Sequence, residues 1–347
     1  MLPRAQHRHA LREGPVEIHD IIKKSRNSEP FSREEVVAML TLPAGSLNSY
    51  VIMGEAARIS RELSDNRAEI HSQLTLNLAP CPKDCLFCSF AVANGIFSTS
   101  TVASPEEAVR QARQLESDGA NALYIMATAT FDIGQYLEMS KEIRRSLRPE
   151  TVLIANVGDD YASSARELAD AGFRGVYHAI RLREGTDTSI STTRRFESIR
   201  MFQEAGLSIG TCVEPVGPEH TNEEIADMIM FTAFLDPSFS GAARRIAIPG
   251  TAMAAKGMIS ELRMAQIVAI TRLAMPRSVL GNCSHEPGAV PIMGGANLLW
   301  AEVGANPRDT AEHTETGRGH SVAGVRQLFT ETEWRTLDGP SSFFRTR

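Results

Sequence analysis

Residues 104–128, SPEEAVRQARQLESDGANALYIMAT, hold one complete helix-to-strand unit. Ser104 is placed to cap a helix, Pro105 fits its first turn, Glu107 completes a capping box and Gly119 ends it. The apolar run 122–128 (ALYIMAT) then reads as a buried strand. The same alternation recurs along the chain. Strand-like runs fall at 71–79 (HSQLTLNLA), 122–128, 151–158 (TVLIANVG), 175–180 (GVYHAI), 207–213 (LSIGTCV), 244–249 (RRIAIP), 278–284 (SVLGNCS) and 297–303 (NLLWAEV). Helical periodicity occupies 134–147, 161–171, 192–205, 221–235 and 260–274 between them. Eight such alternations predict a parallel sheet closed into a (β/α)8 TIM-type barrel of the α/β class, with an open doubly wound sheet as the structural alternative.

The flanks lack this rhythm. Residues 1–70, with helix-like stretches at 32–40 (SREEVVAML) and 54–64 (GEAARISRELS), are expected to form an N-terminal helical extension to a barrel spanning 71–303. Residues 304–347 are rich in charged and turn residues around one amphipathic piece (AGVRQLFTETEW). This C-terminal extension is expected to wrap the barrel or cover an opening.

Composition narrows the function. With 42% hydrophobic and 22% charged residues, the 347-residue chain has ample material for a core. Its 36 Lys+Arg against 42 Asp+Glu give a net charge of -6, which offers nucleic acid or an anionic membrane no general attraction. No apolar run approaches the ~20 residues that span a bilayer, and MLPRAQHRHALREG lacks the apolar block of a secretory signal. A cytoplasmic location without membrane or nucleic-acid partners is therefore expected. Five cysteines, an odd number, with three of them at 81–88, suit a metal site in a reducing compartment better than a disulfide framework.

Cys81, Cys85 and Cys88 stand in CPKDCLFC, directly after the first expected strand and so at the barrel end where active sites are built. Three thiolates at this spacing can converge on one four-iron cluster and leave one iron without a cysteine ligand. Structural zinc is the first alternative, but such sites close with four ligands and no other Cys or His lies within 77–100. Three unliganded thiols are the second, in a loop that Pro82, Lys83 and Asp84 make polar.

The C-x3-C-x2-C motif, with Phe87 before its last cysteine, resembles the signature of the radical S-adenosylmethionine (SAM) superfamily. Residues 30–335 are similar to its biotin synthase branch, which includes hydrogenase-maturation and methylornithine-forming enzymes. NLAPCPKDCLFCSF, RRFESIRMFQEAGLSIGTCVEPVGPEHT, IAIPGTAMA and MGGANLLWAEVG carry that similarity. The resemblance implies that Cys81, Cys85 and Cys88 hold a 4Fe-4S cluster. SAM would chelate the open iron and be cleaved by one-electron reduction to methionine and a 5'-deoxyadenosyl radical. It also implies a small-molecule or cofactor-precursor substrate and a flavodoxin- or ferredoxin-type electron donor. The substrate radical would then undergo rearrangement, fragment transfer or sulfur insertion. An iron-sulfur protein that transfers electrons or binds a partner without radical chemistry is the alternative, and a zinc-stabilised binding barrel is a third.

Further site residues follow from the same resemblance. Arg195, eleven residues before Gly206, stands where relatives pair an arginine with the SAM carboxylate; its other reading is a solvated helix charge. Glu184 would receive the SAM amino group or ribose hydroxyls, with Arg183 able to exchange places with it in alignment. Val216, Gly217 and Pro218 stand at an adenine-contacting loop or in a simple turn. Met126–Thr130 lacks the glycine pair and acid usual after the second strand. Biotin synthase's second, sulfur-donating cluster would fall at Ile125, Ala155, Thr211 and Leu280/Gly281, none of them good ligands, so a biotin synthase is not expected.

Cys212 and Cys283 are open to two readings. They are either core thiols or lining residues of the substrate cavity, as ligands of a possible second iron-sulfur cluster, hydrogen donors or anchors. Glu214 joins them as a catalytic candidate. Asn156, Asp159, Asp160, His178, Asn282, His285 and Glu286 crowd expected strand ends and are either substrate contacts or loop partners. His313 and His320 read as surface histidines.

Overall fold

A computed structural model describes residues 17–344, so residues 1–16 of the expected N-terminal extension and 345–347 of the tail lie outside the described residues. Eight parallel strands close a barrel. They are β1 (Arg67–Thr75), β2 (Ala122–Met126), β3 (Val152–Asn156), β4 (Phe173–Tyr177), β5 (Ser208–Gly210), β6 (Phe239–Arg244), β7 (Gly281–Ser284) and β8 (Leu298–Val303). β1 is hydrogen-bonded to both β8 and β2, from Glu69↔Leu298 to Thr75↔Met126. The circuit continues through β3, β4 and β5 and returns through β6 and β7 to β8. The β5–β6 seam rests on one pairing, Gly210↔Phe239, after which Val213–Val216 continues along β6.

Three N-terminal helices, α1 (Ile18–Arg26), α2 (Arg33–Thr41) and α3 (Leu47–Leu63), precede the barrel. α4 (Pro105–Ser117), α5 (Ile133–Ser146), α6 (Ala165–Asp170), α7 (Thr192–Glu204), α8 (Asn222–Leu235) and α9 (Glu261–Ala274) alternate with its strands. Ser104 caps α4 by accepting from the Glu107 amide, with Pro105 in the first turn, but the expected capping box does not close, because the Glu107 carboxylate accepts from Arg110 and Gln111 instead. α3 packs on α9 and α2 on α8, burying Val36, Met39, Ile52 and Ile59 against Ile229 and Val268. α10 (Ala289–Met293) and α11 (Val322–Glu331) complete the helices described.

Two strands sit elsewhere than their apolar runs suggest. β1 begins at Arg67 rather than 71 and ends at Thr75, because Asn77–Leu78 turns away to pair with Thr101–Val102. The sixth strand is Phe239–Arg244, not 244–249. Its sequence FSGAAR is small because the wall is crowded: Gly241 takes φ +140°, and a Cβ there would meet the Cys283 carbonyl oxygen at 2.2 Å. The more apolar Ile246 and Ile248 follow the strand and line a cavity instead.

Side chains alternate across the wall. Tyr124, Ile154, Cys212 and Cys283 point into the barrel with Tyr177, Phe239 and Trp300, while Leu123, Ile125 and Ala155 face the helices. Ile125 and Ala155 therefore cannot stand in an inner cluster site; their neighbours Tyr124 and Ile154 hold those positions, and Cys212 replaces Thr211.

The barrel's lower end is plugged by the chain's own tail. Phe343 and Phe344 join the inner aromatic cluster, with ring centres 6.1 and 6.0 Å from His71. Buried Glu69 accepts hydrogen bonds from Ser341 Oγ (2.5 Å) and from Ser342 N and Oγ (both 2.7 Å). It also accepts from His71 Nε2 at 2.9 Å, while Tyr124 Oη donates to His71 Nδ1 at 2.9 Å. These bonds offset the cost of burying a carboxylate, and they leave the opposite end of the barrel open.

Candidate active site

The open end holds a cavity of about 220 Å³. Cys81, Cys85, Phe87 and Cys88 form part of its wall. Gln73, Met126–Ala129, Asn156–Gly158, Tyr177, Arg181, Arg195, Glu214, Arg244–Ile246, His285, Trp300, Glu302 and Arg308 complete much of the rest. Nearly all of these lie at strand ends or in the loops just beyond, where a parallel barrel gathers residues distant in sequence.

The cysteine loop is pinned from three sides. The Cys81 amide donates to Phe90 O (2.7 Å), and the Cys88 amide to Cys85 O (2.9 Å). Asn94 Nδ2 donates to Cys88 O at 2.8 Å, while Asn94 Oδ1 accepts from the Ala252 amide at 3.0 Å. The loop after β4 is joined by Leu86 N to Asp187 O (2.9 Å) and Ser189 N to Lys83 O (2.9 Å), and the loop after β8 by Ser89 N to Pro307 O (3.0 Å). Asp84 takes φ 45° at the sharp turn between the first two cysteines.

All three thiols are free and half-buried. Burial pushes Cys85 up to about 11, with Arg181 pulling the other way, and it pushes Cys88 up to about 12. Thiols in such surroundings ionise readily only when a metal replaces the proton. The donor set and its place on the cavity wall fit a thiolate-held iron-sulfur group.

Arginines dominate the rest of the wall. Arg195 is 5% exposed and lies behind the cysteine loop. Its Nε stands 3.3 Å from Asp159 Oδ1 and 3.8 Å from Glu184 Oε2 without a hydrogen bond of good geometry. Asp159 accepts from Ser198 Oγ (2.7 Å) and contacts His178 Nε2 (2.9 Å). Burial would raise the Asp159 carboxyl, but His178 and Arg195 outweigh it and hold it well below the usual range. Burial, reinforced by Arg195, lowers His178 to about 4, so its imidazole is neutral at pH 7. Arg181 lies 3.7 Å from Glu214 and 3.9 Å from Glu184, carboxylates that hold its charge against burial. Arg308 donates to Glu302 at 2.6 Å.

Several expected site residues take other places. Val216 is buried among apolar side chains beneath α8 and does not line the cavity. Glu184 stands behind the wall, accepting from the Arg181 amide (2.9 Å) and Thr188 Oγ1 (3.0 Å). Arg183 turns away to Glu224 at 2.7 Å, so Glu184 alone of the two faces Arg195. Cys212 and Cys283 are wholly buried beneath the cavity floor, with their sulfurs 2.6 Å apart. Asn282 is spent on backbone carbonyls of α9 and Gly295, and Asp160 sits at the rim between Lys83 and Arg194. Glu286 pairs with Arg318 at 2.7 Å, and His313 with Glu315 at 3.4 Å outside the cavity.

Arg181, Arg308, Gln73, Tyr177 and Trp300 were not singled out by sequence. Arg181 and Arg308 each follow a barrel strand, and that position was the available signal.

Residues 80–232 match the Radical SAM superfamily. This stretch thus forms a radical SAM domain, and the chain is similar to biotin synthases along most of its length. Such a domain implies a 4Fe-4S cluster and SAM. The chain is 23% identical over 330 residues to the biotin synthase of Desulforudis audaxviator (strain MP104C), covering 92% of this chain and 97% of that one. It is 28% identical over 304 residues to that of Brucella ovis, covering 80% and 89%. In fold it is similar to methylornithine synthase, with TM-score 0.78, 13% identity and coverage of 91% and 97%. The FeFe-hydrogenase maturase HydG from Carboxydothermus hydrogenoformans aligns with TM-score 0.77, 16% identity and coverage of 95% and 81%. Among the described residues no helix is long and apolar enough to cross a membrane.

Proposed function

We propose that this chain binds a 4Fe-4S cluster through Cys81, Cys85 and Cys88 and uses SAM to begin radical chemistry on a small molecule in the same cavity. The observation that carries this reading is the meeting of the cysteine loop, Phe87, Arg195 and Glu214 on one cavity wall. Held by Cys81, Cys85 and Cys88, the cluster would pass one electron from an external donor to SAM, which would release methionine and supply 5'-deoxyadenosyl-radical chemistry at a substrate C–H bond.

The chain's own residues bind and orient. Arg195 is preset by Asp159 and Glu184 on its Nε side and by His178 3.2 Å from Nη1, and it still lines the cavity, where a guanidinium suits the SAM carboxylate. Glu184 acts through Arg195 and Arg181 as a positioning residue, which revises the direct SAM contact expected of it. Phe87, Met126 and Trp300 give the wall an apolar portion that excludes water. Glu214, beside Arg181, offers a carboxylate to a substrate cation or hydroxyl. Arg181, Arg244 and Arg308 line the same cavity, each beside a carboxylate (Glu214, Glu286 and Glu302), so the site suits a polar substrate that pairs with both signs of charge.

Sulfur insertion by a biotin synthase arrangement has little support. The inward positions Ala122, Tyr124 and Met126 of β2 and Val152, Ile154 and Asn156 of β3 carry no cysteine. Rearrangement or fragment transfer fits the site better. The test is anaerobic reconstitution, reduction and assay for 5'-deoxyadenosine from SAM. Turnover that disappears in Cys85→Ala supports the reading. An iron-sulfur chromophore unresponsive to SAM would favour the electron-transfer alternative.

A further inference from the structure

Beneath the floor of the cavity, a second set of soft ligands converges. The sulfurs of Cys212 and Cys283 and a ring nitrogen of His285 all lie within 4.8 Å of one another. The elements that bring them together are rigid: Cys283 is in β7, Cys212 follows β5, and His285 follows β7. Gly241 and Gly210 let the backbone of β6 and the Phe239 ring approach this closely.

The surroundings leave these ligands underused. The two thiol sulfurs lie only 2.6 Å apart, a closer approach than two protonated thiols make by themselves. Among the described residues His285 Nε2 is buried without a partner, and the buried Tyr177 hydroxyl lies within electrostatic reach of both thiols. Trp300 and Tyr177 hold the imidazole with ring centres 4.3 and 5.3 Å away. A buried polar atom without a partner costs about 1–3 kcal/mol, so such a group in a tightly packed interior calls for an explanation.

We infer that Cys212, Cys283 and His285 form a mononuclear metal site for one soft divalent cation of the zinc type. Two thiolates and an imidazole are a ligand set suited to zinc, and three protein ligands leave one place for a donor from the cavity that His285 itself lines. A two-iron cluster takes four protein ligands, whereas this group supplies three. Binding releases two thiol protons as the sulfurs become thiolates. Zinc-sulfur bonds of ~2.3 Å at tetrahedral angles separate two sulfurs by about 3.8 Å, so the pair opens by roughly an ångström as the ion enters. The inference is independent of what the cysteine loop binds.

The experiment removes the loop thiols first. The full-length Cys81→Ala/Cys85→Ala/Cys88→Ala variant, kept reduced and anaerobic, is titrated with Co2+ and then Zn2+. One equivalent of cobalt is expected, with thiolate-to-cobalt absorption that zinc abolishes. Adding Cys283→Ser or His285→Gln should weaken binding by more than tenfold. No uptake by the folded triple variant, or uptake unchanged by Cys283→Ser, overturns the site. Should the triple variant fail to fold, metal analysis of the parent chain purified with zinc decides the matter. About one zinc per chain, lost in His285→Gln, supports the site, and absence of zinc refutes it. A Cys212–Cys283 disulfide in the parent, with no metal uptake after its reduction, refutes it equally.

Discussion

Arg195 shows how a charge on a surface-like helix becomes part of a site. Its neighbours RRFESIRMFQE suggest a solvated face, but α7 turns Arg195, Ser198 and Phe202 inward. Asp159 and Glu184 hold its charge there, so Arg195→Ala should weaken SAM binding to the reconstituted protein about 10–100-fold, the loss expected for a charge-assisted bond of about 1.5–3 kcal/mol. Arg195→Lys should recover part of this, since an ammonium makes a point contact rather than a fork; equilibrium dialysis with SAM checks both. His178 gives a separate, pH-dependent signal. Its folded value of about 4 lies below the ~6.5 of an unfolded histidine, so on acidification the unfolded chain takes up the proton first and the fold loses stability between those values. From pH 7 to pH 5 this one group should cost about 2 kcal/mol, seen in chemical denaturation at the two pH values as the part of the stability loss that His178→Gln removes, while His71, His220 and His285, also lowered by burial, contribute the remainder in the same direction.

At the scale of elements, the loop 81–94 carries the cysteines on hydrogen bonds rather than on regular structure. Asn94 ties Cys88 O to the Ala252 amide, so Asn94→Ala should shed cluster iron several-fold faster to a chelator while leaving the melting of the apo-barrel nearly unchanged. Capping and periodicity make α4 legible, because Ser104 and Pro105 act locally. β6 was not legible: Phe239–Arg244 is poor in large apolar residues because its neighbours approach closely, and the apolar Ile246 and Ile248 serve the cavity. The inward register of β2 and β3 lies one residue from the one the sequence suggests, which exchanges Ile125 for Tyr124 and Ala155 for Ile154. The cysteine motif was legible as chemistry because its spacing is short. The arginine shell was not, since Arg181 and Arg308 meet only when the barrel closes.

Across the whole molecule, the two barrel ends divide the work. The upper end keeps thiols, arginines and carboxylates around a cavity, while the lower is sealed by Ser341–Phe344. The covering role expected of the C-terminal extension falls to SSFF, four residues that carry no periodicity and whose partners, Glu69 and His71, are remote in sequence. The plug completes the core rather than decorating it: Phe343 is 4% exposed, and its ring lies against the Gly281 backbone. Phe343→Ala should therefore destabilise the chain by about 3–5 kcal/mol, the range for truncating a buried aromatic side chain. Because the cavity lies at the other end, SAM affinity measured well below the melting temperature should stay within about twofold of the parent, as expected for distant, independent sites. Denaturant unfolding checks the first expectation and dialysis the second. A large loss of SAM affinity without loss of stability would mean that the lower plug governs the upper cavity and that the barrel's ends are coupled.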